Sequence, residues 1–545
     1  MATLRMGSSL EKLMAGSAPQ RELPLSVFQR ERASWQVFYM GDPDTVWAER
    51  VFFTAEKPEG CRVRLRQVRT VPVRMATYPD SDDGYLSKAP GLYPDLLTDP
   101  QQGGLWVRGD REESLWVDMT ADRPGVYPVT VTMRNIQGEA LAACTREVTV
   151  LPGELPPQTL MHTRWFYCDC LAEYYHVPVF SETHWQIIER FMRCAVEHGI
   201  NMLLTPIHTP PLDTRVGGER LTTQLVGIMK DADGYHFDMT LLRRWIALCK
   251  RCGVQYYEMA HLFTQWGAKH APKIMVTVDG APRRLFGWET DAASAEYREF
   301  LAAYLPAIRA VLQEEGIANR TVWHISDEPN ESNLDSYRAA RHQVEDLLAG
   351  CRIMDALSSF SFYQQGVVEH PIVASNHLPP FLEAGVPDLW TYYCCAQYKD
   401  VSNMFIAMPS ARNRALGVQL YLYRMEGFLQ WGFNFYSAQY SDYSIDPYAT
   451  TDADGWVPAG DPFQVYPGKD GIPEESIRLM VTDEALRDLR ALTWLENLRG
   501  RAFTEALIHE GLTEPITFTH YPMDDAYYLT LREKVNRAIM AARHA

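Results

Sequence analysis

No stretch of this 545-residue chain is apolar and uncharged for long enough to span a membrane, and Met1-Ala-Thr-Leu-Arg-Met-Gly-Ser-Ser-Leu10 lacks the unbroken apolar segment of a secretory leader. A soluble cytoplasmic protein is expected. Positive charge is also short: 52 Lys and Arg against 69 Asp and Glu leave a net charge of −17. That balance argues against a nucleic-acid backbone or an anionic membrane as partner, because both demand clustered cations. No Gly-x-Gly-x-x-Gly follows a strand pattern, so no nucleotide cofactor is expected. Neither His-x-His nor His-Glu-x-x-His occurs, so no metal site is expected either. The ten cysteines offer no ligand spacing. Cys249 and Cys252 close an amphipathic helix (Leu241, Leu242, Trp245, Ile246, Leu248) that Gly253 ends, which marks them as small buried apolar residues.

Aromatic residues, by contrast, are plentiful. Fourteen Trp and 28 Tyr exceed what packing needs, and flat rings suit the apolar faces of sugars. Residues 1–155 read as an all-β sandwich domain. Ser34–Tyr39, Val63–Val68, Ser114–Asp118, Val126–Met133 and Thr145–Val150 alternate apolar and polar positions between Gly, Pro and Asp clusters. Leu151-Pro-Gly-Glu-Leu-Pro-Pro157 makes a stiff linker.

From 156 to 475 strands alternate with helices. Eight strand segments follow in order: Leu160–Asp169, Asn201–Ile207, Val254–Leu262, Thr321–Glu328, Arg352–Leu357, Ile372–Asn376, Leu389–Cys394 and Gly427–Asn434. Helices are expected at Thr183–His198, Ala293–Glu315 and Ser410–Arg424. Eight strands predict a (β/α)8 TIM-type barrel, whose chemistry sits at the strand C-terminal ends. The excursion from Phe263 to Thr290 is long enough to build or cover a site. Residues 476–545 read as a helical tail with polar faces, packed on the barrel.

The strand ends carry Tyr167 and Asp169, His208, His261, Asp327 and Glu328, Asn376 and His377, Tyr392 and Tyr393, and Trp431 with Asn434. Asp327 and Glu328 stand out. Adjacent acids at a strand end repel each other and are poor strand formers, so a fold that keeps them has a use for them. The bland alternative is a helix start, where Asp, Glu and Pro329 are all common. Glycoside cleavage needs a proton donor at the leaving oxygen and a group that stabilises a cationic anomeric carbon. Two contiguous acids suit substrate assistance, in which the sugar's own 2-acetamido oxygen attacks. Glu328 is then general acid and base, and Asp327 holds the acetamido N–H. Side chains of neighbouring strand residues point to opposite faces, so the strand must twist or end at Asp327.

Phe263-Thr-Gln-Trp-Gly267, Phe286-Gly-Trp288, His324-Ile-Ser-Asp-Glu-Pro329, Leu389-Trp-Thr-Tyr-Tyr-Cys394, Gly427-Phe-Leu-Gln-Trp-Gly-Phe-Asn434, Val465-Tyr-Pro-Gly468 and Ser476-Ile-Arg478 together resemble the catalytic domain of glycoside hydrolase family 123 over about residues 155–500. The resemblance implies retaining, substrate-assisted β-N-acetylgalactosaminidase activity, with Asp327 as acetamido stabiliser and Glu328 as acid/base. It also places Tyr392, with Tyr393 as the substitute, at the acetamido carbonyl. Trp431 is expected to stack on the sugar, and Asn434, His208, His261 and Asn376 to contact it. The tail departs from the family pattern at Thr482–Leu489.

The leading expectation is therefore an exo-acting hexosaminidase on an oligosaccharide or glycoside, with no cofactor. A glycosidase of the same fold on a sugar without a 2-acetamido group stays open, as does a non-catalytic carbohydrate-binding protein. The galacto or gluco epimer and the oligomeric state, a homo-oligomer included, are open too.

Overall fold

A computed structural model describes residues 1–14, 23–100 and 103–544. Ten strands come first: β1 (Thr3–Ser8), β2 (Ser26–Phe28), β3 (Ala33–Met40), β4 (Glu49–Glu56), β5 (Cys61–Val73), β6 (Gly91–Thr98), β7 (Leu105–Val107), β8 (Glu113–Ala121), β9 (Gly125–Arg134) and β10 (Ala140–Leu151). They form two five-stranded sheets, ordered β1-β3-β8-β5-β6 and β2-β10-β9-β4-β7. The five alternating segments of the sequence lie in β3, β5, β8, β9 and β10. Alternate residues of both sheets share one core: Trp35, Val37 and Tyr39, Leu115, Val117 and Met119, Val129, Val131 and Met133, and Val148 and Val150. That is the period of two that a pleated strand imposes. The other face of the first sheet is covered as well. There Arg66 of β5, fully buried, donates to the carboxylates of Asp118 and Glu475.

The next twelve strands are β11 (Met161–Arg164), β12 (Met202–Thr205), β13 (Gly227–Asp231), β14 (Gly234–Asp238), β15 (Tyr256–Met259), β16 (Ile274–Val278), β17 (Ala281–Phe286), β18 (Thr321–Trp323), β19 (Arg352–Leu357), β20 (His370–Ala374), β21 (Trp390–Tyr392) and β22 (Gly427–Gln430). Eight of them close a parallel barrel, β11-β12-β15-β18-β19-β20-β21-β22, sealed where Met161 to Arg164 pair with Gly427 to Gln430. Each lies within or overlaps one of the eight expected segments, but most are shorter. The ladders stop at Arg164, Trp323 and Gln430, and the residues beyond them turn over the barrel mouth. Gly427 is required at the seal, because a Cβ there would sit 2.1 Å from the ring of Trp390.

The helices are α1 (Cys168–Tyr174), α2 (Glu182–Glu197), α3 (Thr240–Cys252), α4 (Ala295–Glu314), α5 (Leu334–His342), α6 (Ser361–Gln364), α7 (Pro379–Glu383), α8 (Ser410–Leu422), α9 (Ile477–Arg499), α10 (Arg501–Ile508) and α11 (Asp525–His544). Their ends follow local chemistry. The Ser181 and Ser294 side chains cap α2 and α4, and Gly253 at φ 91° ends α3. Cys249 and Cys252 are buried, as their helix face requires. Excursions after β12 and β15 meet in a second small sheet, β14-β13-β16-β17. The first of them was not legible in the sequence.

The polar faces expected of the tail helices are turned inward in α9. Every residue of α9 from Ile477 to Asp488 is buried, five charged ones included. Arg478 holds Asp95 of β6 through two bonds of 2.9 Å, Arg414 of α8 binds Asp488 and Glu484, and Arg532 of α11 binds Glu31 and Asp488. An apolar cluster joins the same three regions, with Phe28, Val68 and Trp116 from the first sheets, Ala411 and Val418 from α8, and Met480, Leu492 and Ile539 from the tail. Among the described residues, no helix is long and apolar enough to cross a membrane.

Candidate active site

The last residues of the Thr321–Glu328 segment leave the barrel ladder after Trp323 and are pinned from both sides. Trp266 N–H donates to the Asp327 carbonyl at 3.0 Å, and Glu328 N–H donates to the Ala356 carbonyl near the end of β19 at 3.1 Å. Glu328 has a left-handed backbone, φ 45°. That turn undoes the strand alternation, and both carboxyl groups enter one pocket. The helix-start function falls instead to Asn330, whose side chain and that of Asn333 form a reciprocal capping box. The two acids are thus released from any capping duty.

The pocket takes in about 560 Å³ of empty space, the solvent at its open mouth included. Asp327, 5% exposed, lies deep, and Glu328 is half-buried nearer the opening. Gln265 Nε2 donates to Asp327 Oδ2 at 2.7 Å, and the Tyr392 hydroxyl donates to Glu328 Oε1 at 2.8 Å. Burial, joined for Asp327 by the neighbouring Glu328 charge, raises both carboxyls above their ordinary range, while the Gln265 and Tyr392 bonds pull the other way. The pair therefore holds a proton to higher pH than ordinary carboxyls do, which suits a general acid.

Aromatic rings surround the acids. Trp165 is fixed by its Nε1–H to Glu258 at 2.8 Å, and Trp431 by its Nε1–H to Asp461 at 2.8 Å. Trp456 meets Trp431 at a tilt with centroids 5.7 Å apart, and Trp266 stands 41% exposed at the rim. Tyr167, Leu212, Leu429, Cys394 and Cys395 complete the wall together with Asp213. Asp213 and Trp266 are left-handed too, at φ 42° and 55°. Three such residues around one pocket are a strain that folds keep at functional sites.

Of the expected residues, Asp327, Glu328, Tyr392 and Trp431 line this pocket and five others do not. Tyr393 is fully buried, its ring edge against Phe428. Asn434 is a backbone clamp, accepting from Tyr167 N–H at 2.9 Å and donating to its carbonyl at 3.0 Å. His208 and His261 are fully buried and do not line the pocket; burial holds His208 near pKa 4 and His261 well below its usual range, so both are neutral. Asn376 is exposed and bonded to Gln397 at 3.0 Å. Tyr392 also differs from expectation, since its hydroxyl is engaged by Glu328.

Trp165, Asp213, Gln265, Trp266 and Trp456 were missed. Gln265 and Trp266 sit in Phe263-Thr-Gln-Trp-Gly267, a segment singled out for other reasons. Asp213, in a Pro-Pro-Leu-Asp loop, gives no signal.

Below the floor His324 sits between two carboxylates, Nε2 at 2.7 Å from Glu258 and Nδ1 at 3.3 Å from Asp355. These partners outweigh its burial and raise it to about 10, so it is a buried imidazolium. Asp355 also accepts from Ile325 N–H at 3.0 Å, which ties this ion cluster to the segment that carries Asp327. Two groups of residues come close enough to share a cation among the described residues, Cys194–His198–Glu475 and His261–His324–Asp355. In the first, Arg32 Nη1 already lies 3.0 Å from His198 Nε2; in the second, His324 is itself the cation. A larger cleft of about 1500 Å³ opens between Arg30, Arg62, Gln158, Gln255 and Arg490. It lies against the starts of the barrel strands, the end of this fold that serves stability, and so is not the candidate site.

The sequence model described as "Glycoside hydrolase 123, catalytic domain" matches residues 165–495. No curated protein matches. Among solved structures, a family 123 glycoside hydrolase from Clostridium perfringens, described for its hydrolysis of glycolipid glycans, aligns at a TM-score of 0.73 with 13% identity over 100% of this chain and 98% of its own. A β-glucuronidase from Parabacteroides merdae aligns at only 0.30, with 10% identity over 81% of this chain and 49% of its own. The structural likeness speaks for the fold, and the sequence match over residues 165–495 speaks for descent: the chain belongs to glycoside hydrolase family 123.

Proposed function

We propose that this glycoside hydrolase is a retaining exo-enzyme that removes a β-linked N-acetylhexosamine, N-acetylgalactosamine before its gluco epimer, by substrate assistance. Glu328 gives its proton to the glycosidic oxygen as the bond to C1 breaks. The acetamido carbonyl oxygen attacks C1 and forms an oxazolinium ring, whose N–H and positive charge Asp327 holds. Glu328, now a carboxylate, takes a proton from the water that attacks C1. The ring opens, and configuration is retained after two inversions. Tyr392 orients Glu328, Gln265 orients Asp327, and the tryptophans exclude water and stack on the ring.

The observation that carries this reading is the entry of two adjacent carboxyls into one pocket through the left-handed turn at Glu328. A double-displacement enzyme takes its two carboxylates from opposite sides of the bond, usually from different strands. The Clostridium perfringens relative is described for the hydrolysis of glycolipid glycans, which supports a glycan as the substrate class here. Cytoplasmic placement, with an imported oligosaccharide as substrate, belongs to the same reading and rests on sequence alone. The two N-terminal sheets are read as a β-sandwich that braces the barrel through the tail.

A second reading has one observation in its favour. Asp213 brings a third carboxyl to the pocket from another loop, so Asp213 and Glu328 would serve a double displacement on a sugar with a 2-hydroxyl. A panel of aryl β-glycosides of N-acetylgalactosamine, N-acetylglucosamine, galactose and glucose decides between the two. Release from an acetamido sugar alone, lost in both Asp327→Asn and Glu328→Gln, is the expected result. Comparable release from a plain hexoside would sink substrate assistance.

A further inference from the structure

Asp213 is the one pocket acid for which the proposed chemistry has no use. Its backbone is firmly held: the N–H donates to Gln265 Oε1, and the carbonyl accepts from the Ser441 hydroxyl at 2.7 Å. The side chain is held less tightly. Asp213 is 4% exposed, and among the described residues no hydrogen bond of full geometry reaches either carboxyl oxygen, the Tyr440 backbone N–H being the donor turned towards it. A buried carboxyl so poorly partnered is costly, and folds keep such groups where a ligand will complete them. Burial pushes this acid up to about 7, with the Asp442 charge in minor support, even though Arg220 and the Tyr440 backbone N–H draw it down. Arg220 itself is spent on Asp169, at 2.7 Å.

Gln265 spans the gap between Asp213 and the chemistry, with Oε1 on the Asp213 backbone and Nε2 on Asp327. A sugar whose acetamido group rests on Asp327 therefore presents another edge of its ring to Asp213. The charge of the wall narrows the choice of sugar. Asp213, Asp327 and Glu328 are three acids, and no lining residue is Lys or Arg. Sulfate or carboxylate substituents call for such cations.

We infer that Asp213 reads the terminal sugar, its carboxyl taking a pair of neighbouring hydroxyls among those at C3, C4 and C6, so that the pocket selects an unsubstituted, neutral N-acetylhexosamine and refuses sulfated or acidic ones. This inference rests on the function proposed above. It gives Asp213 a binding role outside bond cleavage, and it accounts for a carboxyl held ready but poorly partnered. A site built to hydrogen-bond a hydroxyl discriminates steeply against a ligand without it, because the protein group is then left buried and alone.

The test compares wild type, Asp213→Asn and Asp213→Ala on the aryl N-acetylhexosaminide that wild type prefers, its 3-, 4- and 6-deoxy forms and its 6-sulfate. Asn keeps the left-handed backbone, which Asp and Asn adopt more readily than other residues, and thermal midpoints check that both variants fold. Wild type is expected to lose about 100-fold in kcat/KM on at least one deoxy form and on the sulfate. In Asp213→Ala the parent substrate falls by a similar factor while that deoxy form barely changes. A uniform fall on every substrate would reduce Asp213 to a structural part and overturn the inference. Azide-restored turnover in Asp213→Ala would do the same by making it the nucleophile. Should wild type cleave no acetamido sugar, the proposed reaction has failed on its own account. Calorimetric titration with free N-acetylgalactosamine and N-acetylglucosamine then decides: binding weakened in Asp213→Ala upholds the site, and equal or absent binding overturns it.

Discussion

Two regions of this protein bury acids, and they treat them in opposite ways. At the junction of the first sheets, α8, α9 and α11, buried carboxylates meet arginines: Asp95 with Arg478, Asp118 and Glu475 with Arg66, Asp483 with Arg32 and Arg487, Asp488 with Arg414 and Arg532. In the pocket Asp213, Asp327 and Glu328 make no ion pair among the described residues, and no Lys or Arg lines the wall. The titration of the two groups diverges accordingly. Asp118, Glu475 and Asp483 are drawn below their ordinary range by arginine despite burial, whereas the three pocket acids are driven up. Glu484 is the exception at the junction, raised by burial although Arg414 bonds it. Paired buried charge fixes how the parts of the chain sit together; unpaired buried acid is stored for a substrate.

The comparison is broken most forcefully at Glu328. Glu328→Gln is expected to lower kcat by about 10³-fold on a glycoside with a poor leaving group, because the proton donor is gone. An unchanged rate would remove Glu328 from the chemistry. Next comes the junction. Arg478→Ala leaves Asp95 buried without its partner and is expected to cost about 3–5 kcal/mol by denaturant unfolding, with kcat of the folded fraction kept. A loss of kcat without loss of stability would place this arginine in the wrong category.

Tyr392→Phe sharpens the contrast within the pocket. The lost hydroxyl bond favours the ionised form of Glu328, so its removal raises the Glu328 pKa further. The alkaline limb of the pH–rate profile should move to higher pH, with a rate loss of about tenfold. An acidic limb moving up instead would mean that Glu328 acts first as a base.

The smallest effect is thermal. Asp327 binds its proton more tightly in the folded chain than in the unfolded one, so the stability tied to it is full below the unfolded value of about 3.9 and is lost as pH rises. Asp327→Asn should therefore melt higher than wild type at neutral pH, with the gap closing toward pH 4. Asp483→Asn should melt lower. Its carboxylate is depressed in the fold, so its contribution is present above the unfolded value and lost as pH falls through the folded one. Equal midpoints for both variants would erase the distinction between the regions.

Much of this was legible in the sequence. The eight barrel strands could be read because each is a short apolar run set off by turn residues, and Asp327 and Glu328 because adjacent acids at a strand end have few other reasons to exist. The direction of side chains past the strand was not legible. His208 and His261 follow the right strands but are buried off the pocket wall, Asn434 spends its amide on Tyr167, and Tyr393 falls on the opposite face from Tyr392. Asp213, Trp266 and Trp456 come from loops, where no periodicity tells inside from outside. The charged residues of α9 misled for the opposite reason: their amphipathic look comes from partners hundreds of residues away in sequence, such as Asp95 for Arg478.

The central claim, that the substrate's own acetamido group is the nucleophile held by Asp327, is tested most directly by kcat/KM along a series of aryl β-N-acylhexosaminides whose acetyl group carries none, one, two or three fluorines. Fluorine starves the carbonyl oxygen of electron density. The account predicts a steep, monotonic fall along the series in wild type. A flat series would contradict it and transfer the nucleophile to a carboxylate of the protein.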